Sequence, residues 1–416
     1  MNITYGGKRM KNNILIVITL LSCSLLHAQE IDIPGCVHLE NSSLIVPGDR
    51  SRLDSFYERL DSLMHGNVEN LNIWHVGGSH VQGSIFPNRM MGHFQDMAGR
   101  ADRGILFPRQ LAKTSVDSSY TMSTGGTWEA PMLTRSSKIP KPRYGITGFG
   151  ARCDSTAWVG LNIDPTKQGK WHFNRVRVLG YGTSDQTYPE IIIDSLTLTA
   201  QFDTLSASYV FDLPRKTDTI TINFIVPEGE EFVLNGIQPM TGDKGINYFA
   251  SGVNGARTTS WVDKCVDFSR DLTLVQPDLV IFGLGINDSA CEPRKFSPAK
   301  FKNNYRRLIR EVLEVSPDCA IIFHTNNDSY RYVRGGMTYN RNAEAVRKAM
   351  MELAKEYGAG VWDLYGVMGG ANSVHTWLKE DLVKKDKLHF TTKGYQLIGD
   401  LLFEAIMNDW QNSTRQ

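Results

Sequence analysis

Five residues scattered through the chain have the types that nucleophilic acyl transfer requires: Ser79, Gly255, Asn287, Asp386 and His389. A serine hydroxyl attacks a carbonyl carbon only when a base takes its proton, and an imidazole titrating near neutrality both takes that proton and returns it to the leaving group. Asp386, three residues before His389, is close enough to turn back within a loop, hold the other ring nitrogen and stabilise the imidazolium. The tetrahedral intermediate also needs donors for its oxyanion. The Ser79 amide, the Gly255 amide and the Asn287 side chain are the candidates, and each such donor is worth about 10² to 10³ in rate. Asp288 competes with Asp386 as the acid, although a residue directly after a strand-end asparagine also suits a role in fixing its loop.

Residues so distant meet only if elements bring them to one edge. Leu71 to Val76 is an extended run rich in β-branched and aromatic side chains that stops at Gly77 and Gly78, so it is expected to be a buried strand delivering Ser79 at its carboxyl end. Ser251–Ala256 follows a second expected strand (246–250), and Gly283–Asp288 ends a third (278–284), the most apolar of all. Helices are expected at 51–64, 87–97, 258–272, 298–315, 340–357 and 392–407, with strands at 320–324 and 360–364 between them. Strands alternating with helices imply a doubly wound parallel sheet, whose strand ends share one rim where ligands bind. From about residue 101 the pattern changes. Glycine, serine, threonine and proline dominate up to Pro142, then short alternating segments follow at 171–179, 191–198, 208–213, 217–226 and 231–237. These predict an inserted β-rich domain over 101–245, dividing an α/β domain into 29–100 and 246–416.

The composition is that of a folded protein, 41% hydrophobic and 21% charged. Lys8, Arg9 and Lys11 precede an apolar stretch from Ile14 to Leu26, and Leu26-His27-Ala28-Gln29 follows. That order predicts a signal peptide over 1–28, cleaved after Ala28 and too short to span a bilayer of about 30 Å. Met10 is an alternative initiator, and Cys23 after Leu20-Leu21-Ser22 is an alternative site for a lipid anchor. The chain beyond the leader has 42 basic and 44 acidic residues, which argues against nucleic acid or an anionic membrane as partner. It keeps Cys36, Cys153, Cys265, Cys291 and Cys319, an odd count with no closely spaced Cys/His cluster for a structural zinc.

The four stretches around Ser79, Gly255, Asn287 and Asp386-x-x-His389 resemble, in order and spacing, the four sequence blocks of the SGNH, or GDSL, hydrolase family. The resemblance implies a flavodoxin-like three-layer α/β/α domain, a Ser-His-Asp triad acting on esters, and no metal or other cofactor. Two features depart from the compact family pattern. Gly78 stands where an aspartate is usual, and Gly255 lies 176 residues after Ser79. The long β-rich insertion, with the Ser79-His80-Val81-Gln82 continuation, is similar to the branch containing bacterial peptidoglycan O-acetylesterases, in which an inserted carbohydrate-binding module helps shape the substrate site. An exported esterase removing acyl groups, acetyl first, from a glycan is the activity this implies. A lipase, thioesterase or acyltransferase on the same triad, or a glycan-binding protein without catalysis, are the alternatives. Trp128, Trp158, Trp171, Tyr181 and Tyr188 are candidates for stacking on sugar rings, and Arg143 and Arg152 for lining a groove. His324, Asn326 and Asn327, at another strand end, are candidates for touching substrate, whereas His75 and His80 are expected to be structural.

Overall fold

The strand that leads to Ser79, Asn70–Gly77, lies inside a six-stranded sheet ordered Leu44–Ile45, Gly360–Trp362, Ala320–His324, Leu279–Gly283, Asn70–Gly77 and Gly245–Gly252. Five of these strands are parallel, and only the Leu44–Ile45 edge strand runs the other way. The computed structural model describes residues 33–139 and 141–413, so the expected leader and Cys23 lie outside the described residues. Among the described residues no helix is long and apolar enough to cross a membrane.

Both faces of the sheet are covered. Ser51–Met64 buries Leu53, Phe56, Tyr57, Leu60 and Leu63, and packs with Ile85–Ala98 and the closing helix Thr392–Ser413 on one side. Phe268–Val275, Pro298–Val315 and Ala343–Tyr357 form the other layer. Pro298–Val315 starts where Ser297 accepts the Lys300 amide at 3.3 Å and proline supplies a first residue needing no N–H partner. Alternation along Asn70–Gly77 serves both layers: Trp74 packs on Phe268 and Phe282, while His75 turns to Phe86 and Tyr248. The fold is therefore the mixed α/β architecture with a parallel sheet that the alternation of strands and helices implied.

Between Ile85–Ala98 and Gly245–Gly252 the chain builds two antiparallel five-stranded sheets. One is ordered Ala151–Cys153, Phe232–Met240, Phe173–Gly182, Ser208–Thr217 and Gln201–Asp203; the other Thr121–Gly125, Ala157–Asn162, Thr219–Ile225, Tyr188–Ile193 and Leu196–Thr199. Phe224 and Phe232 meet across the two sheets with ring centroids 4.9 Å apart. The apolar core runs without a break from Phe282 and Trp74 through Phe149 to Phe232 and Phe224.

Several elements differ from expectation for local reasons. The run 191–198 is a hairpin, because Asp194 and Ser195 take positive φ (50° and 65°) and reverse the chain. The helix expected over 258–272 is two, Ser260–Lys264 and Phe268–Val275, interrupted where Cys265 is extended. Ser79 itself begins a one-turn helix, Ser79–Gln82, where only a turn was expected. A hairpin of Tyr330–Val333 and Gly336–Tyr339 stands between the Ala320–His324 strand and the Ala343–Tyr357 helix, where no element was expected.

Candidate active site

Three glycines lie side by side across the carboxyl rim of the sheet: Gly77 pairs with Gly252 on one neighbour and with Gly283 on the other. Each is there because something else occupies the space of a side chain. A Cβ on Gly77 would lie 2.5 Å from the Val81 side chain, one on Gly252 2.2 Å from the Gln82 amide nitrogen, and one on Gly283 2.0 Å from the His324 ring. The row lets the Ser79–Gln82 helix fold directly over the strand ends and leaves Ser79 half-buried at the rim.

His389 arrives from the other end of the chain. The Asp386 carboxylate accepts the Leu388 and His389 amides at 3.0 Å each, a side-chain turn that closes the loop on itself, and Lys387 takes positive φ within it. Asn327 donates to the Leu388 carbonyl at 3.0 Å, and Tyr330 N–H to the Lys387 carbonyl at 2.9 Å, so the segment after the Ala320–His324 strand holds the loop from outside. The result is a continuous chain of hydrogen bonds. Ser79 Oγ lies 2.8 Å from His389 Nε2, and His389 Nδ1 lies 2.8 Å from Asp386 Oδ2. Burial raises the Asp386 carboxyl, but the hydrogen bonds from the His389 ring and the two amides outweigh it and hold the group below its ordinary value. It is an anion facing the imidazole, the state that stabilises a ring gaining a proton.

The donors expected for an oxyanion gather on the same side. Gly255, with φ of +83°, is the third residue of a turn in which Ala256 N–H donates to Val253 carbonyl at 2.9 Å, and Val253 N–H in turn donates to Gly77 carbonyl at 3.2 Å. Asn287 Nδ2 donates to the Ala256 carbonyl at 3.0 Å, which leaves its second N–H for another acceptor. Neither the Ser79 nor the Gly255 amide has an acceptor among the described residues. All five predicted residues are therefore brought together. Asp288 is not at the triad: its carboxylate takes the Thr258 hydroxyl at 2.6 Å and the Thr258 amide at 3.2 Å, tying the Asn287 loop to the turn after Ala256.

Residues 229–397 match the family model described as GDSL-like Lipase/Acylhydrolase. The GDSL-like match takes in Gly255, Asn287, Asp386 and His389 but not Ser79, which every strand of the two antiparallel sheets except Phe232–Met240 separates from it in sequence. A peptidoglycan O-acetylesterase of known structure is similar over 89% of this chain and 99% of its own, with a TM-score of 0.73 at 20% identity, so the two share a fold. An acetyl xylan esterase (TM-score 0.31, 15% identity, 38% of this chain and 81% of its own) also matches. So does a carbohydrate esterase family 3 protein from Talaromyces cellulolyticus (TM-score 0.30, 16% identity, 40% and 72%). No curated protein matches.

Several other candidates turn out to be scaffold. His324 is 5% exposed, Asn326 7% and Asn327 1%, so none faces an open groove; the first covers Gly283 and the last braces the histidine loop. Trp171 lies under Arg100 and Arg103, Tyr181 under Arg143, and Trp128 against Phe224. Only Trp158 and Tyr188 of the five are exposed, at 39% each. Arg143 pairs with Asp267, and Arg152 with Glu129 and Glu231, so both are engaged within the protein. His80 shares a hydrogen bond with Tyr395 Oη at 2.9 Å and His75 one with Tyr248 Oη at 2.9 Å, both inside the fold as expected. The five described cysteines are free thiols. Three residues missed from the sequence join the Val253–Ala256 turn: Gln82, Thr114 and Thr134. Their partners lie 120 to 172 residues away, and no local pattern marks these contacts, although Gln82 itself closes the Ser79-His80-Val81-Gln82 continuation.

Proposed function

We propose that this protein is an exported serine esterase that removes O-acyl groups, acetyl foremost, from a carbohydrate such as peptidoglycan. The observation that carries the reading is the Ser79–His389–Asp386 chain, with both links at 2.8 Å. Ser79 Oγ attacks the acyl carbon while His389 Nε2 takes its proton. The oxyanion is met by the Ser79 and Gly255 amides and by the free N–H of Asn287. Collapse expels the sugar alcohol, protonated by His389, and leaves an acyl group on Ser79. Water, deprotonated by the same imidazole, then releases the carboxylic acid and restores the serine. Asp386 stays ionised throughout and holds the ring in the tautomer that presents a bare Nε2 to Ser79.

The glycan part of the reading is supported by the structural likeness to a peptidoglycan O-acetylesterase, which extends along nearly the whole of both chains. The export part is supported by the basic, apolar and Leu26-His27-Ala28 order of the leader. Acetate release from O-acetylated cell-wall glycan, compared with hydrolysis of long-chain esters and thioesters, tests the substrate. The wild type is expected to release acetate, and Ser79→Ala to lose at least about 10⁴-fold in kcat. Equal hydrolysis by wild type and variant would overturn the mechanism, and a preference for long acyl chains would reassign the enzyme to lipids.

A further inference from the structure

We propose that Thr134, supplied by the segment between the strands Thr121–Gly125 and Ala151–Cys153, is a positioning residue that selects the orientation of the Asn254–Gly255 peptide and so aims the Gly255 N–H at the oxyanion. The proposal rests on the reading of Gly255 as an oxyanion donor. Val253–Ala256 is a four-residue turn whose third residue has φ of +83°, the type II form. Types I and II share the same closing hydrogen bond and differ mainly by a flip of the central peptide, here Asn254–Gly255. In a trans peptide the C=O and N–H point in opposite directions, so a flip would replace the Gly255 N–H with the Asn254 carbonyl oxygen. A lone pair in place of a donor repels the charge it should hold.

The preceding peptide has little freedom. Gln82 Oε1 accepts the Asn254 N–H at 2.5 Å, Gln82 Nε2 donates to Thr114 Oγ1 at 2.6 Å, and Asn254 Nδ2 donates to the same hydroxyl at 3.2 Å. Among the described residues the central peptide is held at one point only, where Thr134 Oγ1 donates to the Asn254 carbonyl at 2.7 Å. With that carbonyl drawn to Thr134, the Gly255 N–H faces the other way and has no acceptor among the described residues. Thr134 is itself firmly placed. It lies in a turn closed by Arg135 N–H to Met132 carbonyl at 3.0 Å; Leu133, fully buried, donates from its amide to Gly148 carbonyl at 3.1 Å and accepts from Lys264 Nζ. Gly148, at φ of +81°, lets this loop close on both Leu133 and Val253. The lock therefore couples residues 131–149 to the turn that completes the site.

Thr134→Val removes the hydroxyl with almost no change of shape, and Thr134→Ser keeps it. With an acetyl ester, Thr134→Val is expected to lower kcat by about tenfold or more while KM stays within about twofold, and Thr134→Ser to remain within about twofold of wild type. A crystal structure of Thr134→Val is expected to show Gly255 out of the positive-φ region and the Asn254 carbonyl turned toward Ser79. Wild-type kcat in Thr134→Val, or equal losses in the valine and serine variants, overturns the lock. So does an unflipped peptide in the Thr134→Val crystals, whatever the kinetics. If the wild type hydrolyses no ester, the proposed function fails, and the peptide orientation still decides the lock by itself.

Discussion

Gly78 is the one position in the nucleophile block that departs from the family pattern, and its surroundings explain why a side chain is absent. A Cβ there would lie 2.9 Å from Asn287 Nδ2, the atom that donates to Ala256 carbonyl and carries the second N–H proposed as an oxyanion donor. An aspartate at 78 would need Asn287 to stand elsewhere; glycine lets the amide lie flat against the backbone. Gly78→Ala is accordingly expected to displace Asn287 and lower kcat by about 10-fold to 10²-fold, with the thermal midpoint nearly unchanged. Assay and melting curve on the same preparation check this, and an unaffected kcat would mean that Asn287 is not a donor. The chemistry at this scale was legible because serine, histidine, aspartate, asparagine and glycine each have few reasons to recur in that order. What was not legible is support at a distance. Thr134 and Gln82 look like any surface threonine and core glutamine until the fold brings them to Asn254.

At the scale of elements, the rim of the sheet is built by what is missing. Helix Ser79–Gln82 crosses the ends of its neighbours only because Gly77 and Gly252 offer no Cβ. At Gly252 the obstacles are the Gln82 amide and the Val81 carbonyl carbon, at 2.2 and 2.6 Å, which are backbone atoms and cannot rotate aside. Gly252→Ala must push the whole helix outward, separating Ser79 from His389 and Gln82 from Asn254. The expected outcome is a loss of about 3 kcal/mol in stability together with most of the activity. Urea unfolding and ester hydrolysis measure the two, and a variant of wild-type stability would show that the helix has room to yield. Long elements with one clear period, such as Ser51–Met64 and Pro298–Val315, were readable to the residue. The short strands Thr121–Gly125 and Ala151–Cys153 were not, because they are defined by partners across the sheet rather than by alternation of their own. The same holds for the Ser79–Gln82 helix, a single turn shaped by the glycine row beneath it.

Considered as a whole, the molecule stores a pH dependence beneath its site. His75, His80 and His324 are all buried between the sheet and the Ile85–Ala98 and Thr392–Ser413 layer, with His75 and His324 5.9 Å apart and His80 5.6 Å from His389. Burial lowers all three: His80 to about 3, His324 to about 4, and His75 well below its ordinary value, with neighbouring histidine charge adding to the effect at His75 and His80. In the unfolded chain each protonates near 6.5. Between that value and about 4 the unfolded state binds protons that the folded state refuses, so stability is greatest above 6.5 and is lost as the pH falls. Each histidine contributes up to about 1.4 kcal/mol per pH unit over that window, and three together up to about 4 kcal/mol per pH unit. Urea midpoints at pH 7, 6 and 5 are therefore expected to fall steeply. A His324→Phe variant that still folds should show a shallower slope, because one of the three groups no longer titrates. A midpoint independent of pH from 7 to 5 would show that these rings already accept protons inside the fold, and that the packing of His80 against Tyr395 and Phe390 is looser than its geometry implies.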